Sequence, residues 1–171
     1  MSAYVALLRA VNLGPNNRLA MSELKRICEE AGFAKVRTYI ASGNVVFESA
    51  KKEAAVRAAL EKGLEAVAGK PIDVIVRTAQ EMAAVVEDFP FKRVVKNRAV
   101  VIFLDKEPAI HALEQIHGQD DEKVARGKRE IYVAYGEKGI GRSNLKIAAA
   151  KEGTARNINT VAKLAEMAAA L

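Results

Sequence analysis

The chain has 171 residues, a formal net charge of +6 and one cysteine, and half of its residues are apolar. The apolar fraction excludes intrinsic disorder, and a lone cysteine excludes a disulfide framework or a thiolate metal site. No apolar run exceeds six residues, as at 3–8, against the ~20 of a membrane helix; Arg9 follows that run, with no basic segment before it to make a secretory signal. With 31 alanines and no Trp, the core must come from small and aliphatic side chains. A chain of this length buries roughly 70% of its unfolded surface, so it needs no staple to fold. The expected class is a cytoplasmic mixed globular protein without cofactor.

Residues 3–11 are apolar in nearly every place and predict a strand buried on both faces. A polar loop, residues 12–18, follows. Met21, Leu24, Ile27, Cys28 and Ala31 then recur at helical spacing, with Ser22 as the expected N-cap and Gly32 as the stop. Two β-prone runs, 34–41 and 44–49, flank Ser42-Gly43 as a hairpin. A helix over 51–68 carries Val56, Ala59, Leu60, Gly63 and Val67 on one stripe and ends at Gly69. Residues 72–77 make a fourth strand. The order β-α-β-β-α-β is that of the ferredoxin-like unit.

Thr78 and Glu81 have capping-box spacing and open a third helix, which Phe89-Pro90-Phe91 closes. The pattern then restarts. A strand is expected over 98–104, a helix over 108–117 on Ile110, Leu113 and Ile116, and strands over 121–126 and 129–135 around Gly127. A glycine-rich turn over 136–141 leads to a short helix ending at Ala150, and a last helix carries Val161, Leu164, Ala165 and Ala168. This is β-α-β-β-α again, with a terminal helix in place of the fourth strand. The expected fold is α+β, two ferredoxin-like subdomains packed together plus C-terminal helices. The whole chain, 1–171, is expected to act as one unit, with halves 1–80 and 81–171, because both faces of the first strand need cover.

In that topology the end of the first strand lies at the same sheet edge as the turn between strands two and three and the loop before strand four. Arg9, Asn12, Asn16 and Arg18 then approach Ser42, Gly43, Asn44 and Lys70. Arginine beside amide and hydroxyl groups at a glycine turn suits a phosphate or carboxylate. The same residues also serve loop structure: Asn for left-handed backbone, Gly for the turn, Arg paired to a carboxylate. A second candidate is the region of Arg142, Arg156 and Asn157. There two expected helix N-termini present free amides, although capping by Ser143, Thr154 or Asn157 explains those stretches too.

Catalytic signatures are mostly missing. His111 and His117, six residues apart on one expected helix, face different ways and make no metal pair. Cys28 sits on an apolar stripe and reads as core, and Asp120-Asp121-Glu122 reads as a solvated turn. The full RNA-binding aromatic consensus is absent, and Phe47 reads as core. Charge is even: residues 1–86 hold 12 basic and 9 acidic side chains, and residues 87–171 hold 15 and 12, so each half is +3. Two windows are locally basic, Lys92, Arg93, Lys96 and Arg98, and Lys123, Arg126, Lys128 and Arg129.

Residues 4–14 (YVALLRAVNLG), Met21 and Leu24, Gly32-Phe33, residues 38–47 (TYIASGNVVF) and residues 154–164 (TARNINTVAKL) together resemble a bacterial domain-of-unknown-function family, the one numbered 1697. The resemblance runs nearly end to end and implies two ferredoxin-like halves, but no activity. Two positions depart from the family pattern: Ile158 stands where a Trp is usual, and Gly14-Pro15 where a Gly pair is usual. The family's motif residues coincide with the sheet edge chosen on topology.

Three functions compete on these residues. The first is a binding protein for a small phosphorylated or anionic ligand, using Arg9, Asn12, Arg18, Ser42, Gly43, Asn44, Arg156 and Asn157. The second is a nucleic-acid binder using the basic windows. The third is a metal-independent enzyme acting on a phosphate or nucleotide, for which no nucleophile and base can be named. No membrane partner is expected.

Overall fold

A computed structural model describes residues 1–9, 19–40 and 43–171. The chain divides into two compact units, residues 1–83 with 163–171, and residues 84–162. The fold is α+β, and among the described residues every strand pairing is antiparallel.

The first unit contains strands β1 (Ser2–Leu8), β2 (Ala34–Thr38), β3 (Asn44–Ser49) and β4 (Val74–Thr78) in the sheet order β2-β3-β1-β4. Helix α1 (Met21–Glu30) joins β1 to β2, and α2 (Glu53–Ala68) joins β3 to β4. One face of the sheet carries Tyr4, Ala6, Leu8, Val45 and Phe47 against Leu24, Ile27 and Cys28 of α1 and Val56, Leu60 and Leu64 of α2. Phe33 stacks on Phe47 at 4.4 Å, and Tyr4 anchors the end of β3 by donating its hydroxyl to Lys51 O at 2.7 Å. The opposite face is buried as well, through Val5, Leu7, Val46, Ile75 and Arg77. Both faces of β1 are therefore covered, as its unbroken apolar run requires.

Local chemistry explains the element ends. Helix α1 begins at Met21 after Ala20, with no side-chain cap; Ser22 lies inside the first turn and is not the N-cap. Gly69 ends α2 in the left-handed conformation, φ 73°, its amide donating to Glu65 O at 2.9 Å. Helix α3 (Ala79–Asp88) opens on the expected reciprocal pair: Glu81 N donates to Thr78 Oγ1 at 3.1 Å, and Thr78 N to Glu81 Oε1 at 2.9 Å.

The second unit holds β5 (Ala99–Phe103), β6 (Ile116–His117), β7 (Lys123–Arg126), β8 (Glu130–Ala134), β9 (Lys146–Ile147) and β10 (Thr154–Asn157); α4 (Ile158–Ala169) follows, and from Lys163 on it belongs to the first unit. Its main sheet has the order β10-β5-β8-β7, and β6 and β9 form a separate two-stranded ribbon. Three expectations are corrected here. The helix over 108–117 is absent: Ile110 is 79% exposed, Ala112–Glu114 make one 3-10 turn, and Ile116–His117 pair with Lys146–Ile147. A pattern of ten residues is too short to hold a helix without tertiary burial of its stripe. The helix ending at Ala150 is absent too, replaced by 3-10 turns at Ile140–Arg142 and Ala148–Ala150 on either side of β9.

The third correction concerns the missing fourth strand. Thr154–Asn157 is not a helix start; it is β10, paired with β5 from Thr154↔Phe103 to Asn157↔Val100. The inward side chains of β10 are Thr154 and Arg156, so its period-2 pattern carries no apolar signal. Val100, Ile102, Leu104, Ile131 and Val133 form the core on one face of this sheet. Half-buried Leu113, Leu145, Ile147, Ala149 and Ala150 cover it from irregular segments, where the first unit uses helices.

Candidate functional site

The N-terminal candidate is built where β1 ends. Leu8 N donates to Gly43 O and Arg9 N to Asp73 O, both at 2.9 Å, so the turn before β3 and the loop before β4 meet the β1 terminus, as the topology predicts. The Arg9 guanidinium lies 3.5 Å from the Asp73 carboxylate, a long ion pair whose side chains are 33% and 60% exposed. Gly43 has φ 77°, which a side chain would strain. Asn12, Asn16, Arg18 and Ser42 lie outside the described residues.

Asn44 is fully buried and holds the turn rather than facing solvent. Its Nδ2 donates to Tyr39 O at 3.0 Å, while Tyr39 N donates to Asn44 O at 3.0 Å. Between these anchors and Gly43, Ile40 has φ 47°, uncommon for a β-branched residue, and is 51% exposed. Lys70 is exposed; the loop residue that reaches Arg9 is Asp73, three positions on. Nothing in its own stretch marks Asp73. The register Leu8↔Val74 shows why it arrives there, one residue before its strand begins.

The C-terminal candidates are arranged differently. Arg156 lies on β10, buried, with Nη1 donating to Thr154 Oγ1 at 2.6 Å and Ala155 O at 3.0 Å. Burial pulls its guanidinium down from the ordinary value, though it stays protonated at neutral pH. Asn157 precedes α4 and caps it: Asn159 N donates to Asn157 Oδ1 at 2.8 Å, and Asn157 Nδ2 donates to Lys96 O at 3.0 Å. Arg142 sits in a three-residue 3-10 turn, not at an α-helix N-terminus.

The remaining sequence candidates resolve plainly. Cys28 is buried, and burial pushes its thiol up to about 12, so it is core. His111 precedes a 3-10 turn and lies 3.0 Å from Glu114, while His117 is on β6. Asp120-Asp121-Glu122 is more than a solvated turn. Glu122 is buried, accepts the Ser143 hydroxyl at 2.5 Å and Asp120 N at 2.6 Å, and is held below the usual carboxylate range mainly by Ser143. The basic windows are partly used internally. Lys92 Nζ donates to the α3 carbonyls of Val86 and Glu87, and the Arg129 guanidinium donates to Asp105 O. Among the described residues no three His, Cys, Asp or Glu side chains gather to hold a metal, and no helix is long and apolar enough to cross a membrane.

These features define an α+β protein with two four-stranded antiparallel sheets and polar groups gathered at a sheet edge. The chain belongs to the family described as Protein of unknown function (DUF1697), which matches residues 1–132. A solved structure titled as that of the conserved bacterial protein SP0830 from Streptococcus pneumoniae is similar, with a TM-score of 0.79 and 22% identity over 97% of this chain and 98% of that one. That likeness is one of fold. No curated protein matches.

Proposed function

We propose that this chain is a cytoplasmic binding protein for a small anionic ligand, a phosphate ester or carboxylate, seated at the end of β1. The observation that supports it most is the convergence of Arg9, Gly43 and Asp73 at one sheet edge. Asn12 and Arg18 follow Arg9 in the chain, and Ser42 precedes Gly43. The pair with Asp73 is long and its arginine side chain is one-third exposed, so a ligand anion can compete with that carboxylate for the guanidinium. Asn44 contributes by holding the turn. Arg156 and Asn157 are already engaged in strand and cap, so the ligand reading now rests on the N-terminal residues.

The accompanying fold reading is that each unit is a ferredoxin-like plait, together forming one functional unit. What supports it is a shared order: β2-β3-β1-β4 in the first sheet becomes β7-β8-β5-β10 when β5, β7, β8 and β10 take the places of β1 to β4.

Thermal-shift measurements with mononucleotides, sugar phosphates and dicarboxylates test the function. A ligand at ten times its Kd stabilises by about 1.4 kcal/mol, a rise of about 3–5 °C in Tm. The rise is expected in the native chain and lost in Arg9→Ala. No rise with any anion at about 10 mM, or a rise that Arg9→Ala leaves intact, rejects the reading.

A further inference from the structure

We infer that the ligand at the end of β1 is a nucleotide-like phosphate ester, whose aromatic ring stacks on Tyr39 while its phosphate meets Arg9. This rests on Arg9 as the partner of the anion and adds a second recognition element, the ring.

Strand register puts both groups on one face. Leu7 of β1 opposes Asn44 of β3 and Ile75 of β4. Asn44 in turn opposes Tyr39, whose amide donates to Asn44 O at 3.0 Å. Residues opposed across a ladder share a face, and so do residues two apart along a strand. Tyr39, Asn44, Arg9 and Asp73 therefore lie on the side of the sheet away from α1 and α2, whose contacts are Tyr4, Ala6, Leu8 and Val45. Arg37, exposed and two residues before Tyr39, adds positive charge on that side. Tyr39 is two strand spacings from β1, about 10 Å, so the ligand needs a spacer between phosphate and ring, as a ribose supplies. The phosphate takes the place of the Asp73 carboxylate, which is 60% exposed and can turn to water.

Tyr39 is suited to be the platform. Tyr4, Phe33 and Phe47, the other aromatic side chains of the first unit, are buried in its core, whereas Tyr39 is half-buried. Among the described residues neither its hydroxyl nor its ring has a partner. Its main chain is fixed: Asn44 engages both its N–H and its carbonyl, and Leu8 N ties the same turn to β1 through Gly43 O. Such presetting lowers the ordering cost of binding. Ile40, next in the chain, is held at φ 47° although it is β-branched and 51% exposed. Its own burial does not offset that strain, and strain held by the surrounding fold gathers at ligand sites.

The test is an NMR titration of the full chain with adenosine monophosphate, inorganic phosphate and adenosine. The nucleotide is expected to bind at least about tenfold more tightly than phosphate or adenosine. Its base protons are expected to show nuclear Overhauser contacts with the Tyr39 ring. Tyr39→Ala is expected to lower nucleotide affinity about tenfold while leaving phosphate binding unchanged, and Tyr39→Phe to keep the native affinity. Arg9→Ala is expected to weaken phosphate and nucleotide alike. Phosphate that does not bind, or that binds regardless of Arg9→Ala, overturns the anion site and the ring site with it. Phosphate bound through Arg9 with no preference for the nucleotide, or a preference that survives Tyr39→Ala, overturns the ring site alone. So does a saturated native complex without contacts to the Tyr39 ring, which decides the matter even where Tyr39→Ala fails to fold.

Discussion

Arg9, just past the end of β1, and Asn44, which opens β3, lie at one sheet edge, yet truncating them is expected to have different consequences. Arg9→Ala removes a long, half-exposed ion pair and is expected to cost within about 1 kcal/mol of stability. Asn44→Ala takes from Tyr39 O the donor that the fully buried Asn44 supplies and is expected to cost about 1–3 kcal/mol by urea denaturation. Cys28 offers a pH test. Its folded thiol, pushed up to about 12 chiefly by burial, keeps its proton where the unfolded thiol, near 9.0, loses it. Its contribution is thus full below pH 9 and is lost as pH rises towards 12. Cys28→Ala is expected to flatten the alkaline fall in stability, and the native thiol to resist disulfide reagents until denaturant is added. An unchanged alkaline slope in the variant would count against this account.

At the scale of elements, helix crossing is as specific as any site. Gly63 of α2 faces α1 so closely that a Cβ there would stand 2.7 Å from Ile27 Cγ2, and Ile27 is buried. Alanine gains up to about 1 kcal/mol of helix propensity over glycine, but overpacking costs about 1–3 kcal/mol. Gly63→Ala is therefore expected to lower the Tm, and Ile27→Leu, which removes the clashing methyl, to restore part of it in the double variant. A thermodynamic cycle with no coupling between the two would refute the contact. The capping box at Thr78 was legible because both partners lie within four residues. β10 was not, because its inward residues are Thr154 and Arg156 and its apolar partner, β5, lies some fifty residues earlier.

Across the whole molecule, the chain's last segment belongs with its first. Lys163–Leu171 joins the first unit, and Leu164, Met167 and Ala168 are buried. Leu164→Ala is expected to cost about 2–5 kcal/mol and to speed hydrogen exchange in β1 and β3, far away in sequence. Exchange in those strands that stays unchanged would show that the terminal segment is not part of their cooperative unit.

The order of strands and helices through β4 and α3 could be read from the sequence, since β1 to β3, α1 and α2 carry strong local periods and clear stops. So could the meeting of Arg9 with the Gly43 turn, because connectivity and antiparallel pairing leave little choice of edge. The family was also legible in the sequence, through the motifs at 4–14, 32–33 and 38–47, which lie within the matched residues 1–132. The tertiary structure decided the rest: Asp73 as the partner of Arg9, the strand at Thr154–Asn157, and the replacement of two expected helices by 3-10 turns and the β6–β9 ribbon. Each of these depends on pairing between distant segments. Satisfying an open sheet edge outweighs the weak helical preference of a short stretch, and no local period records that competition.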